Sequence, residues 1–526
     1  MNYADLLRVT LPETALEVAA LLVLIVDLGF LRKTALKARV AVSALLGVAG
    51  CGTALWALQF QGHGGFSFGD TGEFPLLATG GFAQIAQTGI LVLTALTLLL
   101  LIDSDFTRHV GEFVAVVLMA ATGGLLIAAA QDLLVIFVGL ELLSLGLYIL
   151  TAFAKHSGKN AEAAMKYYLF GGMSAAFLLF GFSYFYGLSG STNLAQIQRS
   201  IALTGPSPLL YVAWILVVAG LGFKVAAVPF HLWAPDTYEG APAPAAAFIA
   251  SVSKVASFAL LLTIGSSWLT LQPGLTSGLM GLATDLYQID RTWTQLAVIL
   301  LLLAAISMVV GNLAALVQTS VRRLLAYSAI AHAGYVLLGV ATLPHYSTAI
   351  AEFPLIHGKL HSVTLSANAV LYYILTYGLT TIGAFGVVSV VERETGSDRL
   401  DAFLGLHKRN PVLAAVLLVL FLSLAGIPPL VGFWAKFNLF AAVLGVSAGP
   451  VPFALVSLAV VMSAVSLYYY LQVLKRAYVM PAADESRIKA HPVTMAVLVL
   501  IAAAVIVLGC FPALLQNWIA SFYPPL

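Results

Sequence analysis

Charged residues and cysteines are scarce in this chain of 526 residues. Lys, Arg, Asp and Glu together make up 9% of it, whereas 61% is hydrophobic, which is far from the composition of a soluble domain. The two cysteines, Cys51 and Cys510, lie in different apolar segments and share no C-x-x-C spacing. This chain alone therefore cannot assemble an iron–sulfur cluster or a zinc site, and we interpret both cysteines as small buried hydrophobic residues.

A dinucleotide-binding loop is also missing. Gly220 and Gly222 begin a G-x-G pattern, but Val225 occupies the third glycine position and the segment is apolar enough for a membrane helix. We expect no cofactor and no metal on this chain. The amino-terminal segment lacks the pattern of a secretory signal, since Glu13 and Glu17 stand before the apolar run. We expect that run to remain as the first membrane helix.

Long apolar segments recur along the whole chain. Each is close to the roughly 20 residues that a helix needs to cross about 30 Å of hydrocarbon. Residues 91–102 (LVLTALTLLLLI) are apolar on every face, which favours helices over a β-barrel with alternating strands. We predict an all-α polytopic membrane protein with about 14 transmembrane helices. They are placed at residues 12–31, 40–60, 78–102, 113–130, 132–154, 162–188, 208–232, 243–265, 293–317, 322–343, 365–391, 411–445, 452–474 and 493–514.

The distribution of Lys and Arg predicts the orientation. If the loop after the first helix is cytoplasmic, 18 basic residues lie in cytoplasmic loops and helix ends, and 4 lie on the other side. An excess of Lys and Arg is typical of cytoplasmic loops. We predict a multi-pass protein of the cell inner membrane with both termini on the outer, periplasmic side.

Two predicted helices contain helix-breaking residues. Pro229 interrupts the seventh, and residues 426–429 (GIPP) interrupt the twelfth. A proline can simply kink a membrane helix, but two breaks five helices apart, each near a lysine, favour an internal repeat around a transport site. We predict one domain over 1–526 with two inverted five-helix units. It divides into residues 1–112 (helices 1–3), 113–265 (helices 4–8), 293–474 (helices 9–13) and 493–514 (the last helix).

Four ionisable residues lie in the middle of predicted membrane helices, namely Glu141, Lys224, Lys254 and Lys436. A charge at the bilayer centre costs at least about 2.5 kcal/mol on insertion scales, so such a residue is a functional candidate by default. Glu141 is the natural partner of Lys224, because opposite charges about 4 Å apart interact by roughly 4 kcal/mol at an effective dielectric near 20. Moving the carboxylate away would therefore favour release of the lysine's proton.

Other polar residues extend these four charges into a predicted proton path. Lys254 is flanked by serines that can hold water, at positions 251, 253 and 257. His332 can relay protons through its two ring nitrogens, although a lone helical histidine is more often a packed, hydrogen-bonded residue. Lys436 is the last predicted station. Thr376, Thr380 and Thr381 are possible water holders beside it.

The remaining polar residues near helix ends have a simpler interpretation. Long or amphipathic side chains at these positions can reach the membrane interface. We assign this role, without further function, to Asp27, Asp132, Lys166, His231, Asp236 and Glu239.

Four segments carry a resemblance to a known family. They are residues 138–150 (VGLELLSLGLYIL), 220–258 (GLGFKVAAVPFHLWAPDTYEGAPAPAAAFIASVSKVASF), 324–339 (LLAYSAIAHAGYVLLG) and 424–437 (LAGIPPLVGFWAKF). Through them the chain resembles the antiporter-like membrane subunits of respiratory complex I, the proton-translocating NADH–quinone oxidoreductase. It is most similar to the subunit N group, in part because Lys436 stands where the subunit M group would carry a glutamate. The similarity covers almost the whole chain.

The resemblance implies a role and a set of partners. Glu141, Lys224, Lys254 and Lys436 correspond to the family's charges on helices 5, 7, 8 and 12, which form one proton channel driven by electron transfer elsewhere in the complex. FMN and iron–sulfur clusters are expected in other subunits, and quinone and NADH are expected to bind only to partners. The chain would be part of a translocase without redox chemistry of its own, contacting other membrane-arm subunits and lipid but no nucleic acid.

Two alternatives remain open at this point. A subunit of a multi-subunit sodium–proton antiporter belongs to the same broader family and uses the same glutamate and lysines. A structural membrane scaffold is the other alternative, in which the buried ions only fix the register of the helices.

Overall fold

Helices account for nearly all the secondary structure of the residues that the computed structural model describes. These residues are 3–61, 64–66, 75–155, 157–205, 207–267, 279–343, 356–446, 449–482 and 486–522. Segments that are apolar on every face bury their backbone polar groups in hydrocarbon, where a helix satisfies those groups within its own segment. The predicted all-α polytopic architecture is confirmed.

The long helices follow the predicted segments one by one. Twelve of the described helices are long and apolar enough to cross a membrane. Helix 1 adds a π-helical turn to a shorter α-helix, and helix 12 is built from two halves. The bounds of helices 1 to 14, in order, are Leu11–Ile25 with Val26–Phe30, Leu36–Leu58, Gly81–Leu101, Val110–Ala129, Leu133–Thr151, Gly158–Ser189, Pro208–Val225, Ala243–Ser267, Leu279–Ala315, Val321–Ala341, Ile356–Thr395, Pro411–Ala425 with Val431–Val446, Pro450–Tyr478 and Pro492–Cys510.

Several short elements were not predicted, because they are too short or too polar to stand out as membrane segments. Strands β1 (Gly64–Phe66) and β2 (Leu77–Thr79) pair antiparallel. The short helices are Tyr3–Val9, Leu194–Thr204, Trp233–Gly240, Leu400–Phe403, Leu406–Arg409 and Ala513–Ala520.

Helices 8 and 10 form the centre of the bundle, and helices 6 and 13 lie at its edges. The most apolar part of helix 8 is fully buried within the chain, whereas the corresponding part of helix 13 is 22% buried. Small residues permit this central packing, since Gly89 of helix 3 and Gly378 of helix 11 both lie against Val255 of helix 8. Lys254, on helix 8, therefore lies in the interior of the molecule.

Both predicted breaks are present, and they end their helices in the same way. Helix 7 ends at Val225, and Ala226 adopts a left-handed conformation with φ 56°. The first half of helix 12 ends at Ala425, and Gly426 has φ 89°. In each case the next amide reaches back five residues, from Ala227 N to the Gly222 carbonyl at 2.8 Å and from Ile427 N to the Leu422 carbonyl at 3.0 Å. This is the Schellman pattern of helix ends, followed by proline.

Candidate functional site

Lys224 lies in the last turn of helix 7 and points into the bundle towards helix 5. It is buried, and its ammonium donates a hydrogen bond to Ser144 Oγ. Glu141 is one turn from Ser144 on helix 5. Among the described residues, Lys224 Nζ has no carboxylate oxygen within 4.0 Å. The predicted contact between Glu141 and Lys224 is therefore not made in this structure, and Ser144 is the direct partner of the lysine.

Lys254 meets the same helix end from the opposite side. Its side chain is 2% exposed, and its ammonium donates to the carbonyl oxygen of Val225, the last residue of helix 7. Ser251, one of the serines predicted to hold water beside it, donates its hydroxyl proton to the Ala247 carbonyl of its own helix at 2.6 Å, and the water-holding role of the serines stays a prediction. Lys224 is thus part of the final turn of helix 7, and Lys254 contacts that turn from helix 8.

Lys436 repeats this arrangement at the second break. Its ammonium donates to the Leu424 carbonyl at 3.1 Å, to the Ala425 carbonyl at 2.9 Å and to Ser463 Oγ of helix 13 at 2.7 Å. It also lies 5.5 Å from the centre of the Tyr335 ring. A buried ammonium is thereby surrounded by oxygen atoms and an aromatic face.

The two breaks explain why lysines can be buried at membrane depth. A helix end leaves its last carbonyls without intrahelical donors, and the aligned peptide dipoles place about half a negative charge there. Each break exposes such an end inside the bundle, and an ammonium occupies it. The charge of the lysine and the free carbonyls satisfy each other, and no carboxylate of the described residues is in contact with the ammonium.

His332 lies between helices 10 and 11, close to the second break. Its Nδ1 hydrogen-bonds with Tyr373 Oη at 2.7 Å, and its ring packs against Tyr377 at 4.8 Å between ring centres. A cavity of about 10 Å³ is lined by His332, Thr376, Thr380 and residues of the helix 12 break. That volume suffices for about one water molecule. Thr381 does not line the cavity, and the relay role of His332 stays a prediction.

Sequence reasoning missed a chain of buried hydroxyl and amide groups beside Lys436. Asn312 Nδ2 donates to Tyr335 Oη at 3.1 Å, and Tyr469 Oη donates to Asn312 Oδ1 at 3.1 Å. Tyr470 Oη hydrogen-bonds with Ser328 Oγ. An asparagine inside VVGNLAA and the tyrosine run at 468–470 were the available signals. These groups make the second half polar without adding charge.

The interfacial interpretation of several charged residues is wrong. Asp27 is fully buried, and both its carboxylate oxygens accept hydrogen bonds from Arg39, at 2.8 and 2.6 Å. Its Oδ2 also accepts from Gly111 N at 3.2 Å. Asp132 caps helix 5 by accepting from Leu134 N at 2.9 Å. These carboxylates fasten helix ends to one another because burial without partners would be too costly.

Lys166, Asp236 and Glu239 also form a specific cluster instead of reaching the interface separately. Asp236 accepts from Lys166 Nζ and from Arg323 at 2.7 Å each. Glu239 accepts from Arg323 at 2.9 Å and from Lys159 Nζ at 2.8 Å. Desolvation opposes the ionised form of Asp236, but the hydrogen bonds from Lys166 and Arg323 outweigh it and lower its pKa. The pKa of Glu239 is lowered in the same way, with Lys159 and Arg323 outweighing desolvation.

Arg322 adds the innermost contact of this cluster. It is 4% exposed and donates to the carbonyls of Tyr238 and Ala241 and to the Glu392 carboxylate. The short helix after the first break is thereby tied to helices 10 and 11. A cavity of about 300 Å³ opens beside it, lined by charged residues that include Glu239, Arg322 and Glu392. His231, the remaining residue of the interfacial group, is buried.

Within the described ranges, no group of three or more His, Cys, Asp or Glu side chains could hold a metal ion.

Comparison with known proteins identifies the family. The model of the NADH:quinone oxidoreductase/Mrp antiporter transmembrane family matches residues 130–466, which contain both breaks and all four intramembrane charges. The chain is also 45% identical to NADH-quinone oxidoreductase subunit N 2 of Acidobacterium capsulatum, over 99% of each chain. The chain belongs to the subunit N group of this family.

Two further comparisons agree with this assignment. Subunit N 1 of Roseiflexus castenholzii is 40% identical, over 86% of this chain and 82% of that protein. A chain of the respiratory complex I structure from Thermus thermophilus is 33% identical, with a TM-score of 0.73 over 96% of this chain and 98% of that one. The similarity in sequence and in fold thus extends over nearly the full length of this chain.

Proposed function

We propose that this chain is a proton-translocating membrane-arm subunit of an NADH–quinone oxidoreductase. Electron transfer from NADH to quinone takes place in other subunits, which carry FMN and iron–sulfur clusters, and this chain moves protons across the membrane. The observation that supports this best is the pair of broken helices, each with a lysine ammonium on its free carbonyls. Such sites can hold a positive charge at membrane depth and release it when their surroundings change.

The path runs through the residues predicted from the sequence. Lys224 receives a proton while Glu141 is near, and loses its stabilisation when the carboxylate moves away. The proton passes to Lys254, which shares the end of helix 7, and then by way of His332 to Lys436. The small cavity beside His332 supplies a position for a bridging water.

Glu141 also suggests where a partner subunit lies. It is partly exposed on helix 5, in a stripe that includes the exposed residues Leu134, Val138, Leu145 and Ile149. A carboxylate facing lipid is costly at membrane depth. A neighbouring membrane-arm subunit therefore covers this face and moves the charge environment of Glu141 during turnover.

Orientation and internal organisation belong to the same proposal. The excess of Lys and Arg in alternate loops supports cytoplasmic placement of the loop after helix 1, and hence both termini on the periplasmic side of the inner membrane. Residues 113–265 and 293–474 form the two inverted units, each centred on one break. The enzyme activity belongs to the complex, and this chain contributes translocation.

A Lys224→Ala variant tests the proposal in the assembled complex. We expect proton pumping to fall by about tenfold, equivalent to about 1.4 kcal/mol on a barrier, while flavin and iron–sulfur content stays normal. The measurement is proton uptake per electron in membrane vesicles that oxidise NADH. Lys155→Ala, which removes an exposed lysine after helix 5, is the matched control.

The outcome separates the alternatives. Unchanged protons per electron in Lys224→Ala would show that this lysine is not an obligatory station. Sodium-dependent exchange without NADH, abolished by the same variant, would favour the antiporter subunit. Loss of assembly without loss of turnover in the complex that remains would favour the scaffold.

A further inference from the structure

Helices 1 to 3 lie outside both predicted units, yet they enclose a carboxyl group that the proposed path does not use. Glu13 of helix 1 is 6% exposed. Its Oε1 accepts a hydrogen bond from Gln87 Nε2 of helix 3 at 3.2 Å, and its buried Oε2 has no hydrogen-bond partner. No ion pair to Glu13 is present within the described part of the chain. Another acidic residue, Glu17, lies one turn along its own helix.

Three buried glutamines lie between Glu13 and the amino-terminal side of the bundle, which is the side where helices 1 and 3 begin. Gln61 lies just after helix 2, donates to the Val9 carbonyl, and leaves its own Oε1 buried without a partner. Gln84 Nε2 donates to the Leu58 carbonyl at 3.2 Å. Gln87 is one turn further along helix 3 and donates both to Glu13 and to the Leu125 carbonyl, the latter at 3.3 Å. All three glutamines are less than 9% exposed.

This row of polar groups ends near the depth of Lys254. Gln87 precedes Gly89 by two residues, which is about 3 Å along a helix, and Gly89 lies against Val255, the neighbour of Lys254. Gly124 directly precedes Leu125, whose carbonyl Gln87 contacts. A Cβ placed on Gly124 would lie 3.6 Å from the Cβ of Ala256 on helix 8. Gln87, the hydrogen-bond partner of Glu13, therefore lies close to the level of the buried centre of the bundle.

The surroundings decide the charge state of this carboxyl. Burying an ionised carboxylate without a cation costs several kcal/mol, whereas the neutral acid needs only hydrogen-bond partners. Helices 2 and 4 pack against helix 1, and the groups identified around Glu13 are amides, carbonyls and the acidic Glu17. None of them would stabilise a negative charge as a lysine or arginine would.

We propose that Glu13 is a further proton-binding site of this chain, holding a proton as a neutral carboxylic acid, and that Gln61, Gln84 and Gln87 line its access from the amino-terminal side. The two unpartnered oxygens, on Gln61 and on Glu13 itself, mark the ends of this access. The site belongs to helices 1 to 3 and does not depend on the path through Lys224, Lys254 and Lys436.

The charge state can be tested without an activity assay. N,N′-dicyclohexylcarbodiimide adds to protonated carboxyls in apolar surroundings. The intact complex is labelled and then digested, and mass spectrometry of the peptides identifies the modified residue. At pH 7 we expect an adduct on Glu13 and none on exposed Glu162, which pairs with Lys166 near the start of helix 6 and serves as the control. Above the titration point, labelling falls about tenfold for each pH unit.

A second measurement covers the case in which the reagent cannot reach the site. The infrared difference between wild type and Glu13→Gln should contain the carbonyl band of a protonated carboxyl, and that band should shift in D₂O. Gln84→Leu should slow that D₂O shift by about tenfold, as expected when one polar step is removed from the access. Carboxylate bands in the difference at pH 7, or protection of Glu13 from labelling by sodium ions, would overturn the proposal.

Discussion

The two breaks are built alike at the backbone and differently in charge. At the end of helix 7, Lys254 donates to the last carbonyl, and Lys224 of the last turn donates to Ser144, one turn from the carboxylate of Glu141 on helix 5. At the end of the first half of helix 12, a single lysine, Lys436, is surrounded by carbonyls, Ser463 and aromatic rings. The same Schellman helix end therefore occurs with two different arrangements of charged residues around it.

In the proposed proton path, this difference gives the two halves separate tasks. The proposed movement of Glu141 relative to Lys224 provides a variable charge near the first break. The second break has no acidic group in contact with Lys436 among the described residues, so a fixed helix end balances its charge. The first site is suited to being driven, and the second to receiving a proton and holding it until released.

The largest expected effect comes from the close approach of backbone at the second break. A Cβ on Gly432 would lie 1.8 Å from the Ser423 carbonyl oxygen, whereas one on Gly445 of the same half-helix would meet nothing within 4 Å. We expect Gly432→Ala to destabilise the packed state by about 3 kcal/mol and Gly445→Ala to be neutral. The thermal stability of the purified complex measures both. A tolerated Gly432→Ala would mean that the break can relax.

Removing each lysine tests the difference in charge directly. Lys436→Met takes away the only ammonium that the described residues place at the second break, whereas Lys254→Met leaves Lys224 at the first. We expect pumping to fall by about tenfold or more in Lys436→Met and by a smaller factor in Lys254→Met, where about 1.4 kcal/mol corresponds to tenfold. Equal losses in the same vesicle assay would contradict the separate tasks.

The two serines give a smaller and more local comparison. Ser144 is the hydrogen-bond acceptor found for Lys224, whereas Ser463 is one of three acceptors for Lys436. Ser144→Ala should cost about 1 kcal/mol, roughly fivefold in pumping rate, and Ser463→Ala should cost less. Cysteine at each position, which nearly keeps the volume of serine, controls for side-chain volume. A stronger effect at Ser463 would reverse the assignment.

The smallest effect at neutral pH is expected from the ion cluster that follows the first break. Lys166, Lys159 and Arg323 lower the pKa of Asp236 and Glu239 below their ordinary values. These contacts therefore stabilise the folded state above the ordinary carboxyl pKa, and the contribution is lost as pH falls through the lowered values. Acidification should reduce amide protection in Trp233–Gly240, after correction for intrinsic exchange, and not in residues 431–437.

A variant shows whether that acid effect arises from the cluster. Asp236→Asn should lower protection of the same helix at neutral pH and weaken its pH dependence. Glu394→Gln, which removes a carboxylate paired only with Arg393 among the described ion pairs, is the comparison. A pH response in Asp236→Asn equal to that of the wild type would remove the cluster from this explanation.

The spans, the breaks and the four intramembrane charges could be predicted because each has a side-chain signature. Hydropathy gives the spans, proline and glycine give the breaks, and Lys or Glu in an apolar segment is visible by itself. The acceptors of Lys254 and Lys436 could not be predicted, because they are backbone carbonyls that any residue supplies. Their identity depends on where two helices meet.

The partners of the charged residues near helix ends could not be predicted from the sequence either. Asp236 and Lys166 looked like separate interfacial groups, since they are 70 residues apart in the chain. The fold brings them within 2.7 Å and adds Arg323 from helix 10. Composition identifies such residues as polar, but only tertiary packing tells which carboxylate each cation meets.

The contacts of Arg322 also set an order of events during synthesis. Arg322 follows Ala241, whose carbonyl it holds, by 81 residues. At roughly 5 to 20 residues per second, the ribosome needs about 4 to 16 seconds to cover that distance. Until then the segment after the first break has neither Arg322 nor Arg323, so helix 10 must enter the membrane before the first half of the molecule is complete. The contacts that complete the first half of the molecule are therefore supplied by helix 10 of the second half, which is synthesised later.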